Sequence, residues 1–584
     1  MKSFLQRSGA AYAVVLTLSL IFSATGCSQS ATTPTTLSGS AAAIQALTQQ
    51  AQYTFLRWPE ISDCQPQVQA FYAARNYEAA WTDDGKPTAA ALGFVQAFTD
   101  AAKQGLNPED YDSTRWADRE KALDQKNDEV IAQFDVAMTV AVMRYISDLH
   151  MGRVNPQHFN FDINVAEKRY DLAGFVASTA IQATDVPKLV ASVEPDSEPY
   201  RRLERALPQY LELARQQEQS AEPPLKAVPV RVKIGDHYAE AEQLRKRLEL
   251  EGDLTRLEGD AVQKKIFDKT LSGGVRSYQR RHGLAEDGRL GPETIKSLNV
   301  PFRARVEQIN NSLERWRWLP EPYLNPRLMV NLPEFALRGY APDRTLDFTM
   351  KVVVGKVKGD HKTPVFANMM THVIFRPYWN VPTSIIKKEL VPHMTADPAY
   401  LDKHNYEVLD NRGKVLTEYT VKNVSRGGAL VRMKPGPENS LGLVKFIFPN
   451  QYEIYLHSTP EVGLFNRTRR DFSHGCVRVQ KAEDLAVWLL QGIKDPEAKG
   501  ADWGRQQVRD AMNTGKDNRQ VNLKTPIPVV IFYATAEAEP DGQIHFFDDI
   551  YGYDEDLEKV LVKGPPYPQK PEEIAPANKQ GDTV

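Results

Sequence analysis

Near residue 328 the spacing of apolar residues changes, and this change limits what the chain can fold into more than any other feature. Upstream, "EVIAQFDVAMTVAVMRYISDL" sets Ile131, Phe134, Met138, Val142, Tyr145 and Leu149 at three- and four-residue steps. That period predicts a helix with one broad apolar face. A second helix is expected from Thr88, stopping at Gly105. Downstream, "RLMVNLPEFALRGY", "LDFTMKVVVGK", "QYEIYLHS" and "TPIPVVIFYATA" alternate or run apolar between Gly, Pro and Asn, which predicts strands. A chain of 584 residues is too long for one core. The expected class is therefore multi-domain α+β: a helical scaffold over 45–228 and a mainly-β domain over 328–540, extended through 541–563. A polar, irregular piece at about 380–432 interrupts the strands and is expected to cap the β domain, as insertions beside sites often do. The tail 564–584 is Pro-rich and charged, and is expected to be disordered.

Between the two regions lies a small unit over 229–302, set off by the Pro-marked linker "SAEPPLKAVP". Leu244 and Leu248 sit four apart on a charged helix, and Val275 and Tyr278 open a second helix stopped by Gly283. Pro292 takes a first-turn position before Ile295 and Leu298. An Asp287-Gly288 turn joins the pieces into a three-helix bundle. The order Tyr278-Gln279, Gly283-Leu284, Asp287-Gly288, Gly291, Thr294, Leu298 resembles the peptidoglycan-binding type 1 domain. The segment 303–327, with "LERWRWLPE", is expected to return to the scaffold as a helix.

The N-terminus reads as an export signal over 1–26: Lys2 and Arg7, the apolar run "AAYAVVLTLSLIF", then "SATGC". Ala24-Thr25-Gly26-Cys27 resembles a lipoprotein box with lipid on Cys27, followed by a Ser/Thr/Ala-rich tether over 27–44. Ser28 after that cysteine is compatible with outer-membrane sorting. Formal net charge is −3, so overall charge does not argue for nucleic acid. Membrane contact is expected only through the N-terminal lipid.

With Cys27 lipidated, two of the three cysteines remain, Cys64 and Cys476, and no disulfide framework is possible. Cys476 lies in "RRDFSHGCVRV". A thiol attacks only as thiolate and needs a base or positive charge nearby. If "YEIYLH" and "CVRV" are strands of one sheet, His457 and Cys476 lie side by side at their ends. His457 is then the general base and Cys476 the nucleophile. Gly475 suits a tight turn that aims backbone N–H groups at an oxyanion. Arg467, Arg469, Arg470 and Arg478 crowd the loop and would favour the thiolate, although for the first three a solvated basic loop is an equal reading. His457, His474 and Cys476 supply three metal ligands, but no fourth ligand and no common metal spacing accompanies them, so no metal is expected.

"H-S-T-P" followed by "S-H-G-C-V-R" resembles the signature of the L,D-transpeptidase (YkuD-type) catalytic domain. "RPYWNVPTSI", "PGPENSLGLVKFIFPN" and "DDIYG" resemble its long multi-domain branch, which has a helical scaffold, an inserted peptidoglycan-binding bundle and a capped catalytic β domain. Ser458 departs from the acidic residue frequent there; the backbone carbonyl at that position is expected to orient the imidazole. The resemblance implies acyl transfer between peptidoglycan stem peptides without a cofactor. A tetrapeptide donor would acylate Cys476, and the side-chain amine of an acceptor diamino acid would take the acyl group, giving a 3→3 crosslink. Backbone groups from Tyr455 to His457 and at Cys476 would hold the oxyanion. Ser473, His474 and Arg478 would position substrate, with Trp379 and Asn380 on the rim under the cap. Carbapenem-type β-lactams would acylate the same sulfur. Two other readings stay open: an L,D-carboxypeptidase or hydrolase using water, and a non-catalytic wall-binding lipoprotein.

Overall fold

The structure is a computed structural model that describes residues 37, 39–220, 222–255, 265–359, 361–497 and 500–568. The export signal, Cys27, most of the tether and residues 569–584 lie outside the described residues.

The first domain is helical and is built around Asp128–Met151. Asn127 caps this helix by accepting from the Glu129 and Val130 N–H groups. The sequence reading gave it one apolar face, but every residue from Phe134 to Ile146 is buried. The surrounding short helices cover it on all sides, so its polar residues need internal partners. Asp135 accepts from the Trp81 N–H at 2.7 Å, the Ala80 N–H at 2.9 Å and the Tyr72 hydroxyl at 2.7 Å. The helix is long and apolar enough to cross a membrane, yet 78% of its most apolar window is packed inside this domain. Ala89–Asp100 is capped by Thr88, and the chain turns at Gly105 with φ +74°. The helix Gly39–Thr48 packs against the central one and buries Ile44, so a helix takes up the last residues of the segment expected to be tether.

Two further helices, Glu198–Gln219 and Phe302–Trp318, pack against each other. Their apolar faces (Leu203, Leu207, Leu313, Trp316) join one core with the β domain rather than the core around Asp128–Met151. Glu314, fully buried, ties that pair back to the first domain. It accepts from the Arg153 N–H at 2.5 Å, Arg153 Nε at 3.1 Å and the Val154 N–H at 3.2 Å.

The bundle consists of Ala241–Leu250, Lys269–Arg281 and Pro292–Leu298, closed over Leu244, Leu248, Val275, Tyr278, Ile295 and Leu298. The Gln279 amide oxygen accepts from the Gly288 N–H at 2.9 Å, and its amide nitrogen reaches Arg289 O at 2.9 Å. These bonds hold the Asp-Gly turn, where Gly288 has φ +66°.

The β domain contributes nine strands to one sheet: β1 Leu328–Asn331, β2 Ala336–Tyr340, β3 Leu346–Gly355, β4 Phe366–Phe375, β5 Val444–Ile447, β6 Leu456–His457, β7 Asp471–Ser473, β8 Val477–Val479 and β9 Arg519–Phe532. Their order is β7-β3-β8-β6-β5-β4-β9-β1-β2, and β2 pairs again with β3. The hydrogen-bond ladder thus closes on itself, so the sheet is a barrel rather than an open sheet with two free edges.

The insertion has its own core (Ile385, Leu390, Met394, Leu401, Val408, Val424, Val431) and its own sheet. That sheet runs Trp379–Asn380, Leu430–Met433, Tyr406–Leu409, Val415–Leu416. Strands of two to four residues are too short to show a period, which is why the sequence read as irregular.

The expectation of a disordered tail fails over its first residues. Tyr567 is buried and donates to Asp110 at 2.6 Å, and the Asn155 N–H donates to Pro568 O at 3.2 Å. Residues 567–568 therefore strap back onto the first domain.

Glu314→Ala should destabilise the chain by about 3–5 kcal/mol, because it strands the buried Arg153 charge. Glu314→Gln should cost less, since it still accepts hydrogen bonds. Urea unfolding of the two variants checks this; equal midpoints for Glu314→Ala and wild type would contradict the role given to Glu314.

Candidate active site

The site begins with one ladder. Strands β6 and β8 run parallel, with Leu456 opposite Val477 and His457 opposite Arg478. The Val477 N–H donates to Tyr455 O at 3.2 Å. Side chains alternate along each strand and match across the pair. Leu456 and Val477 are therefore sent together into the barrel core, where both are fully buried. Tyr455, His457, Cys476 and Arg478 consequently share the opposite face. Strand β5 extends the row, since Lys445 stands opposite His457.

His457 is 4% exposed, and its Nδ1 lies 2.6 Å from Ser458 O. A carbonyl can only accept, so the proton sits on Nδ1 and Nε2 is left with its lone pair. Burial and the Arg478 charge push this imidazole down to about 3, against the pull of the Ser458 and Leu441 carbonyls. The Ser458 hydroxyl accepts from the Leu443 N–H at 2.7 Å and the Val444 N–H at 3.0 Å. A small hydroxyl at this position thus holds the start of β5, while the backbone carbonyl orients the ring.

Cys476 keeps part of its surface open at the end of β8, but its neighbours strip most of its hydration. Burial pushes the thiol up to about 11. The Tyr455 backbone, the Tyr455 hydroxyl and the charges of Lys445 and Arg478 act in the other direction without overcoming burial. At neutral pH Cys476 is therefore a thiol and His457, on the same face, a neutral imidazole. Arg478 favours the thiolate as expected, but burial outweighs it. Arg470 is buried and donates to Arg467 O at 2.7 Å, Phe335 O at 3.0 Å and Val352 O at 3.1 Å, which shapes the loop. Arg469 pairs with Asp471 at 2.7 Å, and Arg467 lies over the Phe472 ring. Arg478 pairs with Glu461 on the strand that carries the nucleophile.

The turn that carries Cys476 is tied from both sides. Ser473 Oγ donates to Cys476 O at 2.6 Å and accepts from the Gly475 N–H at 3.1 Å. Gly475 has φ +123°, a backbone state that favours glycine. Thr363 Oγ1 accepts from the Gly355 N–H at 2.9 Å and donates to Gly475 O at 2.7 Å. The Thr363 N–H and Gly355 O are in turn held by the Tyr551 hydroxyl, at 3.2 and 2.7 Å. Ser473 is thus a residue that shapes the turn from within.

His474 faces elsewhere: its Nε2 lies 2.7 Å from Glu389 of the cap, and its ring stands edge-on to His361. This contact joins cap and nucleophile loop. It also means that His457, His474 and Cys476 do not converge as a ligand set. Trp379 packs on the cap core and Asn380 is exposed beside it, both paired to Leu430–Met433.

Sequence reasoning passed over Lys445, Glu389, Thr363 and Tyr551. Tyr551 lay in the motif "DDIYG", and Lys445 left a signal of its own, a charge between apolar Val444 and Phe446 on a strand. Its ammonium lies 5.3 Å from the centre of the Tyr455 ring.

The site thus sets a cysteine and a neutral, oriented imidazole on one shared sheet face. Comparisons with known proteins agree on the family. Residues 325–529 match the L,D-transpeptidase catalytic domain, YkuD. Residues 238–298 match a family described as "Putative peptidoglycan binding domain", and residues 66–207 match the scaffold domain. The chain therefore carries a YkuD L,D-transpeptidase catalytic domain together with a peptidoglycan-binding type 1 domain. A curated relative from Haemophilus influenzae, "Putative L,D-transpeptidase", is 34% identical over 282 residues, 47% of this chain. The match spans about half of that relative, 54% of its length. A crystal structure of L,D-transpeptidase (Yku) from Stackebrandtia nassauensis shares 13% identity, with 53% of this chain and 97% of that one covered. Its TM-score of 0.20 is too low to carry an inference.

A thiol raised to about 11 should be alkylated by iodoacetamide at a rate that climbs about tenfold per pH unit from pH 7 to 10. Mass spectrometry of the Cys476 peptide measures it. A rate already level below pH 7 would reveal a preformed thiolate instead.

Proposed function

We propose that the chain forms 3→3 crosslinks in peptidoglycan through a thioester on Cys476. The observation that carries this reading is the common face of His457 and Cys476, with Nε2 of the imidazole unprotonated. As Cys476 Sγ attacks the carbonyl of the third residue of a tetrapeptide donor, His457 Nε2 takes the thiol proton. The C–S bond forms, the amide bond to the terminal D-alanine breaks, and the proton passes to the departing amine. The side-chain amine of an acceptor diamino acid then attacks the thioester and gives its proton to His457. The thiolate leaves and recovers that proton, which restores the starting pair.

Neutral partners suit this sequence, because each step moves one proton between a base and a reacting atom. The N–H groups at Cys476 and near Tyr455 are the donors we assign to the oxyanion, and the Tyr455 hydroxyl supports the sulfur as it gains charge. Lys445 and Arg478 supply positive charge on the same face. No cofactor enters the scheme. Carbapenem-type β-lactams would acylate the same sulfur.

The reading extends to location: export by the N-terminal signal and attachment to the outer membrane, facing the periplasm, through lipid on Cys27. Cys27→Ala should move the protein from the membrane to the soluble fraction of the envelope, and an unchanged distribution would rule the lipid out.

Incubation of the purified chain with tetrapeptide-bearing muropeptides, followed by mass spectrometry, tests the reaction. Crosslinked dimers are expected from wild type. Cys476→Ala should give none, and His457→Ala should be slower by about 10²–10⁴-fold. Free tripeptides without dimers would assign water as the acceptor. No change, together with no carbapenem adduct on Cys476, would remove both enzymatic readings.

A further inference from the structure

A cleft of about 770 Å³ separates the bundle from the β domain. One wall is the bundle turn from Gln279 to Thr294, and the other includes the loop 466–470 that leads through β7 to Cys476. Its width is set by buried contacts. Arg281, 2% exposed, donates to Ile544 O of the β domain at 2.6 Å and to Asp253 of the bundle at 2.9 Å. The His282 ring stacks between Tyr278 and Phe546, at 3.8 and 5.5 Å between centres. The bundle is therefore held against the catalytic domain, and the cleft is a built feature of both.

The arginines that line it fall into two groups. Arg231 and Arg280 are paired with Asp287 and Glu286, at 3.1 and 3.2 Å, while Arg469 and Arg470 are used by the loop itself. Arg289 and Arg467, one from each wall, are exposed and have no carboxylate within ion-pair distance among the described residues. Arg467 is laid over the Phe472 ring with its guanidinium 5.3 Å from the centre, an arrangement that presents its fork to a planar anion. Guanidiniums on the two walls of an open cleft favour a ligand that carries carboxylates at two points. The walls also hold Glu293 and Asp548, so a uniformly anionic polymer fits poorly and a peptide with both acid and amine groups fits well.

We propose that this cleft binds the stem peptides of a peptidoglycan strand, with their carboxylates on Arg289 and Arg467, so that wall binding belongs to the bundle and catalytic domain jointly. The choice of stem peptide as ligand rests on the proposed function. A strand held there lies against the segment that continues into the nucleophile turn.

The test uses the whole chain with Cys476→Ala, which prevents turnover, and calorimetric titration with disaccharide-tetrapeptide muropeptides. Arg289→Glu with Arg467→Glu should weaken binding at least tenfold. Muropeptides with amidated carboxylates should bind the unaltered cleft comparably weakly. In chains that retain Cys476, the double variant should keep an alkylation rate within about twofold of wild type. Should the charge reversals unfold the chain, Arg289→Gln with Arg467→Gln carries the same comparison.

Undiminished affinity in either double variant would overturn the proposal. So would equal binding of amidated stems, of glycan stripped of stems, or of polyphosphate. A chain that binds stems through these arginines but forms no crosslinks would leave this inference standing and remove the acyl-transfer reading.

Discussion

The parallel pairing of β6 with β8 is the constraint on which the site depends. One residue from each strand decides it: Leu456 and Val477, opposite each other and fully buried. Because side chains alternate, burying that pair puts Tyr455, His457, Cys476 and Arg478 on the other face together. A slip of one residue would send His457 towards the core and a leucine outwards. The apolar pair is thus as necessary to the chemistry as the reacting groups, although it touches no substrate. Supports converge on the same point from distant parts of the chain, with Ser473 inside the turn, Thr363 beside it and Tyr551 from the C-terminal region.

Two effects compete over the charge state of this pair. Lys445 and Arg478 favour a thiolate, and burial disfavours it. Burial prevails, and the same burial keeps His457 neutral. A neutral resting pair stores no separated charge, so in the acyl transfer we propose charge would develop only when a substrate carbonyl is present to receive the sulfur. The cations then act when anionic character appears, which is where electrostatic stabilisation lowers a barrier. The cap contributes a polar contact of its own, Glu389 to His474, linking the inserted sheet to the nucleophile loop.

Much of this architecture was legible in the residues. The change from helical to strand period marked the two main regions, and Pro292 with Asp287-Gly288 marked the bundle. Cys476 and His457 stood out through residue type and a plausible strand pairing. Other features resisted for physical reasons. Asp128–Met151 shows an amphipathic period, but burial on all sides is decided by what packs around it. The cap strands are too short for periodicity to register. A charge in the sequence does not reveal its partner: Arg470 is spent on backbone carbonyls, whereas Lys445, in an apolar strand, stands opposite His457 and over the Tyr455 ring. Thr363 and Tyr551 act through hydrogen bonds to backbone atoms over a hundred residues away, which no local pattern records.

The account's central claim is that β6 and β8 present a neutral, Nδ1-protonated imidazole to a neutral thiol. Nitrogen-15 spectra of the histidine-labelled chain test this most directly, with the His457 signals assigned by their loss in His457→Gln. At pH 7 the account predicts one ring nitrogen protonated, at Nδ1, with no titration of that ring between pH 5 and 8. Protonation of both His457 nitrogens at pH 7 would contradict it.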